Sequence, residues 1–436
     1  MVATNTLLFS TLCAFASATP QVVTPWLSQQ CPLPKPIYHH PQSQICLESE
    51  SAATRLSNTT NKVEHQVPPS WVRSKSCISA RKTEYCAFTK PSFSSSEGVS
   101  VVTTPERLSR LAKGIFSDEK GQAQLSHNSA DSYEDAEIPG KGIGLIATKP
   151  IRTGQRIMAR TPAVMLDRSA LDALSEDESV ELLVQGVEAL PSIHRDRYLN
   201  LTTHMSVPSR EMRISQIFAV NSFRTGVGDQ GADFHSVFTE ISRLNHDCRP
   251  NCVYYFDPET LSNKVYAVRD IMPGEEITVS YIDGFQTAAG RRARLHEHWG
   301  FECGCPACTA EPFLVSESDS RIEQILQLWG ELDDYSAKAD TSSATAPSPE
   351  KAELLIELYR LERLEGRMQE AYYRAAVEYL GVGNIAPAMR YARLCVDSGL
   401  KFKGPGKVFI SSMEDLLKNP TGHKYWRFRL SESAGA

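Results

Sequence analysis

The amino-acid sequence predicts an α+β protein, with a β-rich middle that carries a helical insert and an α-helical C-terminal region. Three observations carry that reading. Strand signals begin at 144–147 and continue through 156–166, where apolar and β-branched residues alternate with polar ones, and further strands are expected over 252–256, 264–268 and 276–282. Helical spacing separates the two groups, over 171–189 and 210–223. Beyond Cys308 the strand pattern stops and amphipathic helical spacing takes over, in 321–332, 354–380 and 385–395.

The remaining elements follow in chain order. Residues 7–18 (LLFSTLCAFASA) are uncharged, mostly apolar and end in small residues, so 1–18 reads as a secretory signal with an Ala16-Ser17-Ala18 cleavage site, although its leading segment carries no Lys or Arg. Residues 19–98 are rich in Pro, Ser and Gln and hold Cys31, Cys46, Cys77 and Cys86, an even set that fits two disulfides in any of three pairings. This stretch reads as a loop-rich appendage rather than a core-building domain. Thr104-Pro105-Glu106 opens a short helix over 104–116, and a further short helix is expected over 237–244. Asp257-Pro258 turns a hairpin, and Pro273-Gly274 has the chemistry of a tight turn. Residues 333–349 are a low-complexity linker. The size rhythm of Ala375, Tyr379, Gly383, Ala388, Tyr391 and Ala392 is that of a tetratricopeptide-type helical hairpin.

The 436 residues suffice for two or three domains. A net charge of -6 with both signs evenly spread argues against a broad basic face for duplex nucleic acid. The apolar run of 7–18 is too short to span a bilayer, which needs about 20 residues, and no membrane association is expected. Asn58-Thr59-Thr60 and Asn200-Leu201-Thr202 permit glycosylation.

Four segments carry candidate chemistry. Pro139-Gly140-Lys141-Gly142-Ile143-Gly144-Leu145 is a glycine-rich turn that exposes main-chain groups to a ligand. Its spacing is wrong for a dinucleotide fingerprint. Polar side chains concentrate in Ser242-Arg243-Leu244-Asn245-His246-Asp247-Cys248-Arg249-Pro250-Asn251-Cys252, where an apolar helix gives way to a strand. The third segment runs from Ala267 through Pro273-Gly274-Glu275-Glu276 to Tyr281, and the fourth is Cys303-Gly304-Cys305-Pro306-Ala307-Cys308. Zinc prefers four tetrahedral ligands, so a fourth thiolate has to come from elsewhere; Cys248 is the first candidate and Cys252 its rival. Disulfide bonding is the alternative for this cluster.

Taken together, these segments resemble the SET-domain family over about 133–308. They match its asparagine-histidine-x-cysteine-x-proline-asparagine signature, its proline-glycine-glutamate-glutamate…tyrosine signature, its post-SET cysteines and its glycine-x-glycine entry. Asn221-Ser222-Phe223, Tyr281-Ile282-Asp283, the basic stretch 291–294 and Phe301-Glu302-Cys303 are similar to the SET-and-MYND branch, but no cysteines stand where its MYND zinc module would be.

The resemblance implies a β-rich SET domain over 128–285, a post-SET zinc segment over 296–312 held by Cys248, Cys303, Cys305 and Cys308, and a helical region over 318–436. It implies methyl transfer from S-adenosylmethionine to a protein lysine, a histone being one candidate substrate. Asn245 and the main chain of His246 would hold the cofactor, with Ser242 and Leu244 beside them. Lys141, Gly142, Ile143 and Gly144 would line its amino-acid end, Asn221 would add a polar contact and Phe301 would pack on the adenine. Tyr281 would orient the lysine amine and the methyl group, which also counts it among the cofactor-binding residues, and Tyr254, Tyr255 and Trp299 are candidate channel aromatics. The helical C-terminal region offers a surface for other proteins. The rival readings are a non-catalytic SET-fold scaffold and a secreted, disulfide-stabilised interaction protein. Family analogy points to nucleus or cytoplasm and the N-terminal segment to the secretory pathway.

Overall fold

A computed structural model describes residues 67–114, 116, 132–203, 207–227, 233–338 and 345–430. The expected signal segment, Cys31, Cys46 and the Asn58 sequon lie outside the described residues. Among the described residues, no helix is long and apolar enough to cross a membrane.

Strands β1 (Val72–Arg73), β2 (Ile78–Ala80), β3 (Thr83–Lys90) and β4 (Val99–Thr103) precede helix α1 (Pro105–Lys113). Over residues 67–98 they replace the loop-rich appendage expected there with paired strands. β4 is buried along its whole length and pairs in parallel with β8 (Val164–Asp167), Val101 opposite Met165. The pairing partner lies some sixty residues away, so Ser- and Pro-rich local composition gave no hint of it. β8 also pairs with β10 (Asp233–Val237), which pairs with β9 (Ser222–Gly226), completing a seven-stranded sheet. Cys77 and Cys86 face each other across β2 and β3 in a disulfide, one of the pairings the sequence allowed. Phe88, Phe93, Val101, Leu108 and Phe116 form the core under this sheet.

The second sheet runs β11 (Asn245–His246), β14 (Glu276–Val279), β6 (Gly142–Ala147), β5 (Tyr133–Ile138). The third runs β12 (Cys252–Asp257), β13 (Ser262–Ala267), β7 (Arg156–Arg160). Both close on one core that includes Leu145, Ile157, Leu244, Val265 and Ile277.

The expected helix over 171–189 is two: α2 (Arg168–Ala173) and α3 (Glu176–Glu188). The break is chemical, because Ser175 and Glu178 form a reciprocal capping box that starts a new helix. Helices α4 (Ser192–Leu199) and α5 (Arg210–Asn221) complete the insert. The helix expected over 237–244 reduces to a single 3-10 turn, Ile241–Arg243, because Val237 is claimed by β10 through its pairing with Val164 and Ser222.

After β14 come α6 (Ala288–Trp299), α7 (Pro306–Thr309), α8 (Pro312–Leu332), α9 (Pro349–Leu361), α10 (Met368–Gly381), α11 (Ile385–Phe402) and α12 (Val408–Lys418). The helix expected over 354–380 is broken between α9 and α10, where Arg363 takes a left-handed φ of 52°. Close packing sets this break: a Cβ on Gly366 would lie 2.2 Å from Val253 Cγ1 on β12. α10 and α11 form a tight hairpin, with Ala375, Ala388 and Ala392 fully buried. Tyr379 stacks on Tyr391, and both hydroxyls donate to Glu353.

Candidate active site and thiolate cluster

The second sheet brings three of the four sequence segments together. β14 pairs in parallel with β11, Asn245 opposite Thr278, and antiparallel with β6, Glu276 opposite Ile146. Buried Asn251 fastens the signature segment to β14: its Nδ2 donates to Glu276 O (2.8 Å) and its Oδ1 accepts from Thr278 N (2.8 Å).

Glu276 organises the polar end of this sheet, a role the sequence reading missed. Its Oε1 accepts from Asn245 Nδ2 at 2.9 Å and its Oε2 pairs with Lys141 Nζ at 2.6 Å. Its position as the first residue of an otherwise apolar strand was the available signal. Gly142 adopts a φ of 75° with open space beside its Cα, whereas a Cβ on Gly144 would meet Asn245 Nδ2 at 2.6 Å and Ile138 Cγ1 at 2.7 Å. The two glycines therefore differ in purpose: one leaves an open cradle and the other lets the Asn245 amide lie against β6. Ile143 between them is exposed.

Ser242 and Asn221 meet, Ser242 Oγ donating to Asn221 O at 3.4 Å, while the Asn221 amide donates to Thr202 O and Ile217 O. Tyr281 sits after β14 with its hydroxyl donating to Leu244 O at 2.8 Å. That bond commits the only hydroxyl proton and leaves oxygen lone pairs for another donor. Burial pushes the phenol pKa above its usual value, with further upward contributions from Tyr254 and Glu276.

The His246 ring joins Tyr281 to the cysteines. Its Nδ1 accepts the Tyr281 backbone N–H at 3.0 Å, which assigns the ring proton to Nε2, 3.3 Å from Cys248 Sγ. Burial lowers the imidazole pKa to about 4, so the ring is neutral near pH 7.

The Sγ atoms of Cys248, Cys303, Cys305 and Cys308 all lie within 4.8 Å of one another, and all four residues are buried. None of them is in a disulfide, and Cys252 packs elsewhere, in the core between the second and third sheets. The Cys248 sulfur stands 3.9 Å from that of Cys303 and 3.6 Å from that of Cys308. A tetrahedron with metal–sulfur arms of about 2.3 Å has edges of about 3.8 Å. An all-thiolate donor set at this spacing is compatible with zinc.

Aromatic side chains surround the junction. Tyr281 lies 5.5 Å from Trp299 and 5.3 Å from His246 between ring centroids, and Phe301 lies 6.2 Å from His246. Alternation along β12 separates the two tyrosine candidates. Tyr254 packs edge-on against Phe223, and burial raises its pKa to about 12. Tyr255 instead stacks on Tyr266 and lies against Gly404, away from the Tyr281 group.

A buried ion pair, also missed in the sequence, ties this region to the C-terminal helices. Arg249 donates to Cys248 O (2.9 Å), Gly284 O (3.2 Å) and Glu362 Oε2 (2.6 Å). Glu362, just past α9, also accepts from Ser318 Oγ and Arg321 Nε on α8, each at 2.7 Å. No local pattern announces the pair, because its members are 113 residues apart.

Comparison with known proteins agrees with this geometry. Residues 142–282 match the profile of the SET domain. The chain carries a SET domain related to those of the SET5 and SMYD lysine methyltransferases. It is 32% identical over 194 residues to Histone-lysine N-methyltransferase set5 of Schizosaccharomyces pombe, covering 44% of this chain and 56% of that protein. To N-lysine methyltransferase SMYD2 of Homo sapiens it is 28% identical over 178 residues, 38% of this chain and 39% of the relative. To Histone-lysine N-methyltransferase SMYD3 of Homo sapiens it is 41% identical over 75 residues, 17% of each. The chain thus spans about half the length of the first of these relatives and less of the others.

Proposed function

We propose that this protein is an S-adenosylmethionine-dependent protein-lysine N-methyltransferase, with a histone among its candidate substrates. The observation that carries the reading is the convergence of the glycine turn, Asn245, His246 and Tyr281 on one small sheet, in the order that SET enzymes share. Asn245, the main chain of His246, Ser242, Leu244 and Asn221 would hold the cofactor. Lys141, Gly142, Ile143 and Gly144 would line its amino-acid end, and Phe301 would pack on the adenine. The open side of Gly142 fits a ligand that approaches the backbone closely.

Bound S-adenosylmethionine supplies an electrophilic methyl group on a sulfonium sulfur. The chain's own contribution is alignment, which is worth several kcal/mol when the reacting atoms are held in near-attack geometry. Tyr281 donates its proton to Leu244 O, so its oxygen accepts from the lysine amine and fixes where the nitrogen lone pair points. With its pKa raised by burial, the phenol is a positioning group rather than a base. Tyr254 and Trp299 flank Tyr281 with apolar surface that favours a neutral amine.

Deprotonation of the substrate lysine then governs the pH profile. The rate at saturating methyl donor is expected to climb from pH 7 to 9, because a free lysine titrates near 10.4. A descending limb below pH 9 would contradict the assignment of Tyr281 as a group that stays protonated.

Cys248, Cys303, Cys305 and Cys308 would hold a structural zinc. Phe301 lies two residues before Cys303, so metal and adenine platform fold together. Stripping zinc with a chelator is expected to weaken S-adenosylmethionine binding about tenfold or more, as binding energy at such sites is folding energy. Calorimetry on the stripped and reconstituted protein checks this, and unchanged affinity would refute the coupling.

A further inference from the structure

One buried cation next to the four cysteines has no protein partner for most of its donors. Arg291, on α6, is fully buried (0% exposed). Its Nη1 donates to Gln286 O at 2.7 Å, whereas Nε and Nη2 have no hydrogen-bond partner. Burial opposes the charge of this guanidinium, and the Cys248 and Cys308 side chains beside it favour the charged form. Leu295, one turn further along the same helix face, packs directly into the cysteine cluster. A guanidinium cannot shed its charge, so burying one with idle N–H groups is costly unless a negative centre faces it.

Four thiolates around a divalent cation leave a net charge of minus two in a site closed to water. His246 Nε2–H, 3.3 Å from Cys248 Sγ, is one donor already aimed at that charge. It reaches one sulfur only. Buried Arg249 is committed to Glu362 and to the Cys248 and Gly284 carbonyls, which leaves the idle face of Arg291 to meet the remaining charge.

We propose that Arg291 is the counter-charge of the zinc centre, donating N–H···S hydrogen bonds to the thiolates of Cys248 and Cys308 and so slowing metal loss. The proposal rests on the zinc reading above. Outer partners of metal ligands control affinity by about tenfold to a hundredfold, because they lower the tendency of the ligand to take up a proton. Arg291 is a positioning residue here: it acts on the metal through the sulfurs.

The test is the rate of zinc transfer from the full-length protein to a chromophoric chelator at pH 7, with acid titration of metal retention alongside. Arg291→Gln, which removes the charge, is expected to release zinc about tenfold faster and to lose it at a higher pH. Arg291→Lys, which keeps the charge without the fork, should fall between Gln and the native residue. Arg294→Gln removes a charge from the same helix at a side chain whose charged neighbours are Glu297 and Asp283, and should release at the native rate. Native release from Arg291→Gln, equal rates for the Lys and Gln variants, or equal acceleration in Arg294→Gln would overturn the counter-charge role while leaving the zinc reading intact. A native protein that neither contains nor takes up zinc would overturn both.

Discussion

Replacing Tyr281 by Phe is expected to lower the rate of methyl transfer at least about a hundredfold, the scale on which removing one preorganised polar contact at a reacting centre acts. Binding of S-adenosylmethionine should stay within about threefold of native, since the phenol hydroxyl faces Leu244 O and the place of the incoming amine. The substitution also strands the Leu244 carbonyl, which costs about 1–3 kcal/mol of stability, so the comparison belongs at a temperature well below the transition. Single-turnover transfer to a lysine peptide, with cofactor affinity by calorimetry on the same sample, separates chemistry from binding. Retention of near-native turnover would remove Tyr281 from the centre of the mechanism.

Replacing Glu362 by Ala should have the largest effect on stability. It leaves Arg249 buried, charged and without its carboxylate partner, a change that typically costs about 3–5 kcal/mol. The damage should reach the site, because the same guanidinium holds the carbonyls of Cys248 and Gly284. Zinc retention and cofactor affinity are therefore expected to fall together with the unfolding free energy. The paired substitution Arg249→Met with Glu362→Leu should recover only part of the stability loss: apolar replacement of a buried pair is often neutral, but the Cys248 and Gly284 carbonyls and Arg321 stay without their partner. Chemical denaturation of the native protein and the two variants measures it, and a loss under about 1 kcal/mol for Glu362→Ala would mean that the strap is not structural. The helical C-terminal region would then be an independent module rather than a buttress for the signature segment.

Much of this site was legible in the sequence, and for physical reasons. Gly142 was read from a glycine-rich turn that exposes its main chain, and the structure gives it a left-handed φ of 75°, which favours glycine. Counting thiolates demanded a fourth cysteine, and the structure gathers Cys248 with the other three while placing Cys252 in the core. The sequence could not disclose groups whose purpose depends on a distant partner. Glu276 reads as half of a turn signature until Asn245 and Lys141 are seen on its two oxygens. Arg291 reads as one of several basic residues on a helix until its burial places it against the sulfurs.

The same limit governed the fold. Alternation identified β6, β7, β12 and β13, whose faces are read from neighbours along the chain. It failed for β3 and β4, whose burial comes from α3 and from parallel pairing with β8. The single helix expected over 354–380 failed where the chain turns to bring Gly366 against Val253 and Glu362 against Arg249. Both misreadings fall where a terminal region docks on the central sheets.

The most direct test of the methyltransferase reading is to incubate the purified full-length chain with isotopically labelled S-adenosylmethionine and core histones or a lysine-containing peptide array, followed by mass spectrometry of the products. The expected result is label on lysine Nζ, present with the native protein and absent with Tyr281→Phe. Binding of the methyl donor with no transfer to any lysine-bearing protein, or label on a different residue type, would contradict it.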